Sequence, residues 1–147
     1  MIEPRTTERT GLAELRELLR SHPNEGIAGL LDMSVDELEV GRAVFGLTPR
    51  RAFANPLGTV HGGVLATLLD SAMSCAVHTT LPAGARYTTL EFKVNFVRPV
   101  GLDAGRLSCA GRTVHVGGRT ATAEGAITDA TGRLIAHGIT TCLLFRP

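Results

Sequence analysis

The stretch Asn55-Pro56-Leu57-Gly58-Thr59-Val60-His61-Gly62-Gly63 runs into a long apolar segment that holds one carboxylate, Asp70. Two adjacent glycines at the start of a helix are unexpected on propensity, since each costs about 1 kcal/mol against alanine in a helix interior. They fit either a turn that needs no side chain or a place where backbone N–H groups must approach a ligand closely. In the second reading Gly62 and Gly63 offer unpaired N–H donors at the positive end of the helix, which is the chemistry of an oxyanion hole. Asp70 sits among Leu68, Leu69, Ala72 and Met73, where an unpaired carboxylate is costly. It either bonds a neighbouring hydroxyl, such as Ser71 or Ser74, or serves as a catalytic carboxylate in a partly apolar pocket. Ser74 lies four residues on, hence on the same helix face.

Geometry constrains how these groups work together. Gly62 and Asp70 are eight residues apart on one helix, about 12 Å along its axis. A reacting carbonyl needs its donor and its nucleophile both within about 3 Å. One subunit cannot satisfy both requirements. A two-fold partner with an opposed helix can, and it would create two symmetric, shared sites.

The elements that position these groups follow from hydrophobic spacing. Residues 7–21 carry Leu12, Leu15, Leu18 and Leu19 at helical intervals and predict an amphipathic helix, ended by His22-Pro23-Asn24. Residues 25–35 read as a connector with room for a helical turn. Residues 37–48 alternate Leu38, Val40, then Ala43, Phe45 and Leu47, and predict one strand with a bulge at Gly41. Residues 61–79 predict a buried helix, because apolar residues cover most of its circumference. Segments 87–98, 104–115, 119–128 and 133–145 read as strands. Short loops at 99–103, 116–118 and 129–132 predict that each strand neighbours the next. The expected fold is α+β: one long central helix wrapped by a curved antiparallel sheet. Residues 1–25 are expected to form a helical extension and 26–147 the domain.

The 147 residues suit one core, and a net charge of +1 gives no overall field to recruit nucleic acid or a membrane surface. No apolar run reaches the length of a membrane span. The charged N-terminus lacks the apolar centre of a secretion signal. Cys75, Cys109 and Cys142 form no CxxC pair and read as reduced core thiols, which suits the cytoplasm. His22, His78, His115 and His137 show no ligand spacing, so no metal site is expected.

The run N-P-x-G-T-V-H-G-G-x-x-x-x-L-x-D-x-A resembles the motif of the PaaI-like hotdog-fold acyl-CoA thioesterases. T-T-L-E-F-K-V-N-F-V-R-P-V resembles their second strand. H-V-G-G-R, A-E-G and D-x-x-G-R-L-I-A-H-G resemble their last strands, so the likeness spans residues 26–145. It implies a hotdog fold, acyl-CoA as substrate, no cofactor, and homodimers with sites at the interface that often pair into tetramers. It also implies roles. Asp70 falls at the nucleophile or general base and Gly62 at the oxyanion amide. Asn55 and His61 fall where the thioester is oriented. Thr89 falls near a hydroxyl that places water, with Thr88 as the competing register. CoA is expected near Val116-Gly117-Gly118-Arg119.

Each position has a plainer reading. Asn55 before Pro56 can shape a turn, and His61 can cap its own helix. Gly117-Gly118 can be a hairpin turn. Arg98 and Arg119 are exposed-strand candidates for phosphate contact. Two rival functions share the fold. A non-catalytic acyl-CoA sensor would not need Asp70. A dehydratase or hydratase would need a histidine and a carboxylate together, and His61 and Asp70 suffer the same axial separation.

Overall fold

The computed structural model describes residues 10–147. The element order is α1 (Gly11–Ser21), α2 (Gly26–Leu30), β1 (Ser34–Glu39), β2 (Arg42–Leu47), α3 (Gly62–His78), β3 (Arg86–Phe96), β4 (Leu107–Val116), β5 (Thr120–Thr128) and β6 (Leu134–Phe145), with a short 3-10 turn at Arg51–Phe53. The first three residues of the helix expected over 7–21, and residues 1–9 of the expected extension, lie outside the described residues.

The core helix α3 follows from its composition. Leu65, Leu68, Leu69, Ala72, Met73, Ala76 and Val77 are all buried, so the helix is enclosed on most sides. The six strands form one antiparallel sheet in the order β1-β2-β4-β5-β6-β3, and α3 packs against β2 to β6. Burying the helix this deeply needs close backbone approach at one point. A Cβ at Gly111 of β4 would stand 2.3 Å from the Ala72 carbonyl oxygen, which only glycine avoids. This is the hotdog architecture.

Two expectations need correction. Residues 37–48 are not one bulged strand but parts of two, β1 and β2, paired with Glu39 opposite Arg42. Gly41 takes φ +80°, so the chain reverses at Val40-Gly41 rather than bulging. The Gly41 N–H is held by Thr79 Oγ1 at the end of α3, 2.8 Å away. The loop at 99–103 does not join neighbours either. β3 pairs with β6, while β4 pairs with β2 and β5. The crossover is held across the sheet end by Val97 and Arg98 N–H bonds to the Ile135 carbonyl. A short loop does mark adjacency for β4–β5 and β5–β6, where the intervening residues make tight turns.

β3 consequently lies at a free edge of the sheet. Helix α1 starts at Thr10, whose hydroxyl caps the Ala13 N–H. It is fastened at the far end of α3, where the Gly11 N–H donates to the Leu81 carbonyl at 2.7 Å. Glu14 accepts from the Gly84 N–H and from Arg86, and the Gly84 bond foremost holds its carboxyl below the usual range.

Candidate active site

The start of α3 is capped by its own preceding residue. His61 Nδ1 accepts the Gly63 N–H at 2.8 Å. An accepting Nδ1 requires the neutral tautomer with its proton on Nε2. The Val64 and Leu65 N–H groups donate to the His61 carbonyl. The Gly62 N–H has no partner among the described residues, so it is the one free donor of the first turn. It opens into a cavity of about 270 Å³ whose wall includes Asn55, Leu65, Phe96 and Arg98. A Cβ at Gly62 would lie 3.2 Å from the Phe96 ring, so glycine here gives both a reachable N–H and room beside the aromatic side chain.

Asn55 shapes the loop that leads to this cavity. Its Oδ1 accepts the N–H groups of Leu57 (2.9 Å) and Thr59 (3.1 Å), and its Nδ2 donates to the Thr59 hydroxyl (2.8 Å). The plainer readings of Asn55 and His61 therefore describe their bonds: one closes a turn, the other caps a helix. One Nδ2 hydrogen of Asn55 and the Nε2–H of His61 are left over.

Asp70 lies two turns further along α3 and is half-buried. Its Oδ1 accepts the Thr89 hydroxyl at 3.0 Å, and it makes no ion pair among the described residues. Strand alternation puts Tyr87 and Thr89 toward α3 and leaves Thr88 exposed, so it is Thr89 that meets the carboxylate. Ser74 does not bond that carboxylate. Its hydroxyl donates to the Asp70 backbone carbonyl at 2.6 Å, as serines within helices commonly do. Burial keeps the Tyr87 hydroxyl above its ordinary range. Burial also pushes the neighbouring Cys75 thiol up to about 12, so Cys75 stays protonated at neutral pH and is a poor nucleophile.

Gly117 and Gly118 form the β4–β5 turn, with the Gly117 N–H on the Thr120 carbonyl at 2.8 Å. Arg146 reaches across to donate to both glycine carbonyls (2.9 and 3.1 Å). Arg119 projects from the turn and is exposed. Arg98 is instead part of the Gly62 cavity. Thus the described chain brings Asn55, Gly62 and Arg98 together, and separately Asp70, Ser74 and Thr89; it does not join the two groups. Among the described residues no group of three His, Cys, Asp or Glu gathers as a metal ion would require. Sequence reasoning misses Phe96, because strict alternation from Tyr87 and Thr89 would turn it outward, and only the register shift between Thr89 and Glu91 brings it to the cavity side.

A curled antiparallel sheet around one buried helix, with a free N–H at the helix start and a carboxylate in its middle, defines a hotdog-fold thioester-hydrolase framework. The chain belongs to the thioesterase superfamily, whose family model matches residues 57–136. It is 30% identical over 116 residues to a candidate esterase of Saccharolobus solfataricus, covering 79% of this chain and 81% of that protein. It is 26% identical over 110 residues to the 1,4-dihydroxy-2-naphthoyl-CoA hydrolase of Listeria monocytogenes, covering 75% and 88%. The structure of a mutant of the phenylacetic acid degradation protein PaaI from Thermus thermophilus superposes with a TM-score of 0.74 at 29% identity, covering 84% of this chain and 100% of that one. The protein is a hotdog thioesterase of PaaI-like type. No helix among the described residues is long and apolar enough to cross a membrane.

Proposed function

We propose that this protein hydrolyses acyl-CoA thioesters at a site shared by two copies of the chain. The observation that carries the reading is Asp70: a half-buried carboxylate on the core helix, with no cation paired to it among the described residues and one hydroxyl, Thr89, fixing its orientation. The similarity to a hydrolase of an aromatic acyl-CoA supports the choice of carrier.

The Gly62 N–H of one subunit donates to the thioester carbonyl oxygen, and the helix dipole favours the negative charge that develops there. Asp70 of the partner subunit approaches from the other side. As a nucleophile, its oxygen bonds the carbonyl carbon, the C–S bond breaks, CoA leaves as thiolate, and water then hydrolyses the mixed anhydride. As a base, it takes a proton from water, whose oxygen bonds the same carbon before the same C–S bond breaks. Either route releases free acid and CoA with no cofactor. Thr89 aims the carboxylate, Asn55 and His61 hold the loop and helix start in place, and Gly63 and Ser74 complete the helix surface along which the thioester lies.

The unpaired β3 edge favours the dimer. It spans eleven residues, exposes Leu90, Phe96 and the adjoining Val97, and among the described residues has no strand partner on its outer side, leaving backbone groups of the kind that pair with another strand. Two-fold pairing along β3 sets α3 helices side by side in opposed directions, which is the arrangement that the axial separation of Gly62 and Asp70 demands; the dimers can then pair into tetramers. Cys75, Cys109 and Cys142 are free thiols and fit a reducing compartment, which supports a cytoplasmic site for the reaction.

The test is thiol release from a panel of aromatic and medium-chain acyl-CoAs. At least one should be turned over with kcat near 1 s⁻¹ or above, the lower end of ordinary enzymes at roughly 1–1,000 s⁻¹. A folded protein that binds acyl-CoA and releases no thiol from any of them would instead be a sensor.

A further inference from the structure

Strand β3 serves both groups of the candidate site. Near its start Thr89 meets Asp70, and at its end Phe96 walls the Gly62 cavity. A regular strand cannot do both, because side chains alternate between faces and positions 89 and 96 differ by an odd number. Tyr87 packs against the core on the face that Thr89 shares, and beyond it Phe92 and Val94 do the same. The phase changes at one extra residue. Thr89 lies opposite Cys142 and Glu91 opposite Thr141, so Leu90 has no partner across the ladder and is left exposed. This is a β-bulge, a device that re-aims side chains on one strand.

Such a bulge must be held, since a register slip of one residue turns the side chains beyond it to the other face. Within the chain β6 is the one neighbour of β3, and it supplies the hold. Its buried residues Ala136, Cys142 and Leu144 are joined by Thr140, which is only 2% exposed. A buried hydroxyl without a partner is costly. The Thr140 hydroxyl donates to the carbonyl of Glu91 at 2.9 Å, the residue that closes the bulge. Cys142 fills the space between. Its thiol lies beside both the Thr89 and the Thr140 hydroxyls, and burial foremost keeps it above its ordinary range, so it stays protonated. A continuous path therefore runs from Asp70 to Thr89, across the ladder to Cys142, and along β6 to Thr140. Thr140 itself neither bonds Asp70 nor lines the Gly62 cavity.

We infer that Thr140 is a positioning residue for the hydrolysis: its hydroxyl locks the Leu90 bulge, and the bulge holds Thr89 in the register at which it aims Asp70. The inference rests on the acyl-CoA reading above. Without the Thr140 hydroxyl the Glu91 carbonyl loses this donor, and the bulge is free to migrate along β3. Asp70 then keeps its place on α3 but loses the hydroxyl that orients it.

The test is kinetic, on the full-length protein with the best acyl-CoA of the panel. Thr140→Val removes the hydroxyl and keeps the shape. Its kcat should fall roughly tenfold or more, the scale of a misaligned reacting group, with KM little changed. Thr140→Ser should recover most of the loss. The decisive comparison uses Thr89→Val. Adding Thr140→Val to that variant should lower kcat no further, because both substitutions act through the same hydroxyl. Amide hydrogen exchange over residues 89–92 should quicken in Thr140→Val and stay slow in Thr140→Ser. Should valine unfold the protein, Thr140→Ala takes its place in every arm. A folded Thr140→Val with wild-type kcat overturns the inference and leaves the hydrolase reading standing. So does an equal loss of kcat with and without Thr89, which marks a structural role alone. A wild type that releases no thiol from any acyl-CoA removes the hydrolase reading, and the positioning role with it, even where exchange shows the bulge locked.

Discussion

Asp70→Asn should lower kcat by about two orders of magnitude or more while leaving the fold intact. Asparagine has nearly the same shape, and its Oδ1 can still accept the Thr89 hydroxyl that now bonds the carboxylate at 3.0 Å. The helix around it is held by Leu68, Leu69, Ala72 and Met73, none of which the substitution touches. What is lost is the charge, and with it both the nucleophile and the base. The measurement is steady-state thiol release with the best acyl-CoA of the panel, beside circular dichroism and a melting curve. Turnover within a few-fold of wild type in a folded Asp70→Asn protein would remove Asp70 from the chemistry, and the assignment with it.

Gly62→Val should reduce kcat by about a hundredfold, the scale seen when one oxyanion donor is lost. The N–H remains in the chain, but the new side chain occupies the space in front of it. The first carbon already meets the Phe96 ring at 3.2 Å, so a branched side chain crowds the cavity that Gly62 and Phe96 both line. Phe96 is 52% exposed, so the ring can shift outward and the fold should survive. That separates the outcome from simple destabilisation. If folded Gly62→Val keeps most of its kcat, the carbonyl oxygen is polarised elsewhere.

The two halves of the candidate site differ in how far the sequence shows them. α3 is legible nearly to its ends, because seventeen consecutive residues with apolar side chains on most faces have few other uses. The glycines at its start and the carboxylate in its middle stand out because both oppose what a buried helix favours. The meeting of Asp70 with Thr89 is not legible, since β3 and α3 are joined by tertiary packing and the register is open by one residue. Strand alternation decides between Thr88 and Thr89 only once the inward face is known. The Gly41 reversal escapes for a similar reason. A glycine within an alternating run fits a bulge or a turn equally well, and only pairing tells them apart. The crossover from β3 to β4 is hidden because the strand-like residues at both ends of its ten-residue connection, between Phe96 and Leu107, make the loop look as short as a hairpin's, over 99–103 alone. Ser74 shows the limit of spacing arguments: four residues from Asp70 puts it on the right face, but its hydroxyl chooses the backbone carbonyl.

The central claim is that each site takes Gly62 from one subunit and Asp70 from the other. Mixed dimers of Asp70→Asn and Gly62→Val subunits test it most directly. Each homodimer should be nearly inactive. In a mixed dimer, the first chain supplies an intact Gly62 and the second an intact Asp70, so one of its two sites is whole. With random exchange of equal amounts, half the dimers are mixed, and about a quarter of wild-type activity should return by two-fold symmetry. Absence of recovery, with subunit exchange demonstrated and both variants folded, would mean that the two residues act within one chain, contradicting the shared site.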